Sequence, residues 1–131
     1  MEPQPKRSVL PALVAAILSA SLNLTDVHAE VGRVTEQTGP TEILRDRRSI
    51  AATVNSPVEM NDTVITARSR AQLTFQDDTT VKITEQSKLI IDDFVYDPRS
   101  GTGKLAMKVA LGTARYASGQ IAKNSPQQIR V

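Results

Sequence analysis

A chain of 131 residues has room for one core, and 16 Lys and Arg against 14 Asp and Glu leave a formal net charge of +2, too small to mark a nucleic-acid surface. There is no cysteine and the single histidine is His28, which excludes disulfides, the usual zinc sites and lipid attachment at a cysteine terminus.

The first 29 residues read as an export signal. Lys6 and Arg7 make a basic start, Val9 to Leu24 is mostly apolar, and Val27-His28-Ala29 places small residues where a signal peptidase reads them. As a helix the apolar run spans about 24 Å, short for a hydrocarbon core of about 30 Å. Cleavage after Ala29 is expected, giving a soluble periplasmic or secreted domain, residues 30–131, with no membrane span. Fourteen basic and twelve acidic residues remain in it. Arg45, Arg47 and Arg48 form its one tight basic group, lack interleaved aromatic residues and read as a solvated loop.

Beyond Glu30 the apolar residues alternate with a period of two, and no stretch keeps a helical stripe, so the expectation is an all-β domain of about eight to ten short strands. Val31 to Thr38, a turn at Gly39-Pro40, and Thr41 to Leu44 read as an opening hairpin. Asp46 to Asn61 is polar, contains Pro57, and reads as a loop with at most one short strand around Ile50 to Val54. Strands follow at Val64 and Thr66, at Ala71, Leu73 and Phe75, at Val81 and Ile83 after an Asp77-Asp78 turn, at Leu89 and Ile91, and at Phe94 and Tyr96. Asp97 to Gly103 is a loop, and Leu105, Met107 and Val109 resume the alternation until Gly112. Ala114 and Tyr116 mark a further strand, Gly119 breaks it, Lys123-Asn124-Ser125-Pro126 reads as a turn, and Gln127 to Val131 as a last strand with Ile129 and Val131 on one face. A meander, a sandwich and a short coil of β-rungs all fit this spacing.

With His28 in the leader, the domain has no imidazole or thiol, and a Ser or Thr nucleophile would need a Lys or a terminal amine as its base. Paired carboxylates exist at Asp77-Asp78 and Asp92-Asp93, but neighbours on a strand point to opposite faces and cannot flank one substrate atom. Asp92, Asp93 and Asp97 are oxygen donors of the kind calcium takes, although their spacing matches no calcium loop and turn-forming aspartates account for them. Phe75, Phe94, Tyr96 and Tyr116 are the only aromatic residues, which suits packing better than ligand stacking. A non-enzymatic domain without cofactor or metal is expected.

Gly32 and Gly39 flank the opening strand. Asp62, Thr66 and Ser69 punctuate the next, and Phe75, Asp77, Thr79, Val81, Ile83 and Ser87 repeat that punctuation. Phe94, Tyr96, Leu105, Leu111-Gly112, Arg115, Gly119 and Ala122 follow. In this order the residues resemble the FecR domain, found in periplasmic regulators of iron-uptake signalling and in many exported proteins. The resemblance covers about 100 residues. It implies an all-β fold and a non-catalytic domain binding a protein or envelope glycan, in signalling or regulation; a structural scaffold, or a fragment of a larger exported protein, is the alternative. Asn61 and Asp78 stand where the family usually has Gly, which implies two turns with positive φ. Family members usually continue past the position of Val131, so the resemblance implies a truncated frame or a last strand completed by another chain at an open edge. The anti-sigma segment and transmembrane helix of the iron-signalling members are not visible, and that specific role is not carried over.

Overall fold

The alternation resolves into strands with one buried face. In a computed structural model describing residues 30–131, these are β1 (Glu30–Gln37), β2 (Thr41–Arg45), β3 (Arg48–Ala51), β4 (Pro57–Glu59), β5 (Thr63–Thr66), β6 (Ala71–Phe75), β7 (Thr80–Ile83), β8 (Lys88–Asp97), β9 (Thr102–Leu111), β10 (Ala114–Ala117) and β11 (Ile129–Arg130). One short helix, α1 (Gln120–Asn124), and a 3-10 turn at Pro126–Gln128 precede β11. The leader reading, with His28, lies outside the described residues. Among the described residues no helix is long and apolar enough to cross a membrane.

The strands form two sheets, ordered β10-β7-β6-β1-β4 and β11-β9-β8-β5-β2-β3. Inward side chains of both meet in one core: Val34, Val58, Leu73, Phe75, Val81 and Ile83 from the first, and Ile43, Val64, Leu89, Ile91, Phe94 and Leu105 from the second. Phe75 stacks on Phe94 across the interface with ring centroids 5.5 Å apart. Two facing sheets around one core make a sandwich, so the meander and the coil of rungs are set aside. Pairings are antiparallel except for β11, which runs parallel to β9.

Local readings are corrected, beginning with the opening hairpin: β1 and β2 lie in different sheets and do not pair. The segment from Asp46 to Asn61 carries two strands, β3 and β4; all four residues of β3 are exposed, so it has no apolar face to alternate. Pro57 begins the edge strand β4, where a missing N–H costs little. The separate strands at Leu89 and Phe94 are one strand, β8. A bulge between Ile91 and Asp93 inserts Asp92 and shifts the phase, so Ile91 and Phe94 both face inward. The rule that neighbouring carboxylates face opposite sides therefore fails at Asp92 and Asp93, which share the outer side. The terminal strand predicted from Gln127 shrinks to Ile129–Arg130, because Pro126 starts a 3-10 turn and Lys123 and Asn124 end α1. Arg45 belongs to β2, not to a loop.

Asn61 and Asp78 both have φ of 71°, as the two turns require, while Gly112 sits at φ 78° with the position of a Cβ only 2.0 Å from the Ser87 Oγ. Asp78→Gly should therefore hold or raise the melting temperature, whereas Gly112→Ala should cost about 2 kcal/mol or more; thermal unfolding of both variants checks the two signs together.

Candidate functional site

The sequence-predicted positions gather where the chain leaves one sheet for the other, except Asp77 and Thr79, which lie in the hairpin turn between β6 and β7 of one sheet and face the passage from β10 into α1. Asp62 is fully buried between β4 and β5. Its carboxylate accepts from Arg45 Nε at 2.9 Å and Nη2 at 2.8 Å, and from the backbone N–H of Glu59 at 2.8 Å. Arg45 also pairs with Glu59 at 2.9 Å and donates to the Pro57 carbonyl. The bidentate bond to Asp62 raises the Arg45 pKa above its ordinary value against the opposing effect of burial.

Asp77 does the same work at the other end. Also fully buried, it accepts from the Thr79 N–H and hydroxyl at 3.1 and 2.8 Å and from the Ile121 N–H at 3.1 Å. It thereby anchors α1, whose Ile121 plugs the core. Gly119 lies against this corner so closely that a Cβ would stand 2.3 Å from the Asp77 carbonyl oxygen. At a third corner the Thr66 hydroxyl donates to the Thr84 carbonyl at 2.7 Å and accepts from the Ser87 N–H at 2.9 Å. The Ser87 Oγ then accepts from the Thr113 N–H just past Gly112. At a fourth, Ser69 donates to the Pro40 carbonyl beside Gly39. Phe75 is in the core.

These residues are therefore framework. Asp77 and Asp78 do not form an acid/base pair, because the first is spent on backbone N–H groups and the second is exposed in its turn. Asp92, Asp93 and Asp97 are not brought together: Asp93 pairs with Lys104 at 3.0 Å, Asp97 caps the loop at the Arg99 N–H, and among the described residues no acidic group of three or more could hold a metal.

The candidate site is instead an open side of the sandwich that the sequence did not single out. One side is sealed by the segment between β3 and β4, through Ala52 N–H to Thr41, Val34 N–H to Ser56 and Asn55 N–H to Val34, with Gln37 donating to Ala52 at 3.0 Å. On the other, the turn at Gly112 and Thr113 carries the chain from the edge region of β9 to the edge strand β10. There β11 pairs only with Leu105 and Ala106, so the free edge of β9 continues from Met107 to Leu111. Val109, Ala114, Tyr116 and Ile129 pack on the core there but stay half-buried, and Leu111 and Val131 are 56% and 64% exposed. A cleft of about 590 Å³ beside β9 is lined by Asp92, Met107, Lys108, Val109, Arg130 and Val131. The Tyr116 hydroxyl is buried without a hydrogen-bond partner. Burial raises its pKa, and Ser118, close but outside hydrogen-bonding geometry, offsets part of the shift. No family model, curated protein or solved structure matches the chain.

Removing the Asp62 carboxylate leaves the partly buried Arg45 with only Glu59 and a carbonyl. Asp62→Ala should cost about 2 to 4 kcal/mol in chemical denaturation, and the Arg45→Ala, Asp62→Ala double variant should cost less than the sum of the singles; additive losses would show that the two side chains are not coupled.

Proposed function

We propose that this is an exported, non-catalytic domain of FecR type that binds a protein partner of the cell envelope, by addition of a partner strand along the open side beside β9. What carries the reading is that Val109, Ala114, Tyr116 and Ile129 remain half-buried where the free edge of β9 and edge strand β10 border the same side. An incoming extended segment gains backbone hydrogen bonds from β9 and covers apolar side chains that water otherwise touches. The buried carboxylates Asp62 and Asp77 are spent on the domain's own backbone and on Arg45, which favours binding over turnover. Export and a part in signalling or regulation rest on the leader and on the resemblance to the FecR domain.

A photo-crosslinking residue at Leu111 should give a discrete adduct with an envelope protein, and one at Val54, exposed on the sealed side, should give none. Binding should slow hydrogen exchange at Met107 to Leu111, and Leu111→Lys should abolish that slowing while changing stability by no more than about 0.5 kcal/mol. Equal adducts from both positions, or unchanged exchange in β9, would sink this reading. A homodimer that buries Leu111 would replace it with the scaffold.

A further inference from the structure

A second site lies away from the open side, on the outer face of the β10-β7-β6-β1-β4 sheet. The strand registers place Glu36, Gln72, Lys82 and Arg115 directly opposite one another in a single row across β1, β6, β7 and β10. Adjacent strands are about 4.8 Å apart, so Lys82 and Arg115 are like charges side by side, an arrangement that destabilises a sheet. Neither makes an ion pair among the described residues, whereas Arg33, Arg45, Arg99 and Lys104 each have an acidic partner. Lys82 faces Gln72 on its other side, and the one acid of the row, Glu36, lies two strands away from it. A groove of about 620 Å³ covers this row and reaches Arg70, whose 3.6 Å contact with Glu85 joins two exposed side chains and is readily exchanged for another anion.

We propose that this groove binds an acidic polysaccharide, with carboxylates of successive sugar rings taken by Lys82, Arg115 and Arg70. Three cations supply many N–H donors and no acceptor, which suits a row of oxyanions, and the Gln72 amide oxygen suits a sugar hydroxyl, the amide nitrogen being held by Thr35. Glu36 repels anions from the β1 end and confines them to the β7–β10 half. A protein partner fits less well, because the groove offers neither an aromatic residue nor an exposed apolar anchor. Nucleic acid fits less well for want of an aromatic stacking platform.

Polygalacturonate and neutral dextran, titrated by calorimetry into the purified chain at low and moderate salt, give the test. The expected result is binding of polygalacturonate alone, weakening as salt rises, with Lys82→Gln and Arg115→Gln each lowering affinity by about tenfold or more. Lys88→Gln, on the other sheet, should leave it unchanged. Lys82→Glu places an acid opposite Arg115 and should hold or raise the melting temperature while abolishing binding, which separates loss of the site from loss of the fold. No binding at low salt, an equal loss in Lys88→Gln, or polyglutamate binding as tightly as polygalacturonate would overturn the proposal.

Discussion

Every passage between the sheets takes backbone groups out of a ladder at the margin of a dry core, and the described residues make seven such passages. Each N–H left there needs a partner, because an orphaned buried donor costs about 1 to 3 kcal/mol. The corners meet that need with short polar side chains. Asp62, Asp77, Thr66, Ser69 and Ser87 are all buried, and each bonds a backbone group. Two of these corners share one bond network, since Thr66 ends β5 and Ser87 precedes β8. The rest of the sandwich depends on this stitching.

That constraint explains why the punctuating residues were legible in the sequence and why they say little about chemistry. Asp, Thr, Ser and Gly at these spacings mark places where the backbone turns out of a sheet, so they specify where strands end. The alternation of Ala71, Leu73 and Phe75, or of Leu105 and Met107, was equally plain because one side of each strand is buried. Strand β3 was not, since all its side chains are exposed, and the bulge at Asp92 concealed the continuity of β8 by breaking the period that reveals a strand. Short helix α1 has one buried residue, Ile121, too few to write a helical stripe. Arg45 misled for a different reason: its partners are 14 and 17 positions away, and only the pairing of β2 with β5 brings them close.

The open side and the cationic row were hidden for the same cause. Val109, Ala114, Tyr116 and Ile129 are ordinary strand residues in sequence, and their incomplete burial follows from strand order. Lys82 and Arg115 are 33 positions apart and become neighbours through the β7–β10 register. Local pattern determines elements, whereas surfaces arise from which elements lie at an edge.

The parallel pairing of β11 has a dynamic consequence. Two residue pairs hold it to β9, with Ile129 half-buried beneath and, among the described residues, no further strand beyond. Segments with few apolar contacts and few ladder bonds open at the lowest free energy. β11 is thus a latch over Leu105 and Ala106, and its release lengthens the free margin of β9 without disturbing the corners anchored by Asp62 and Asp77.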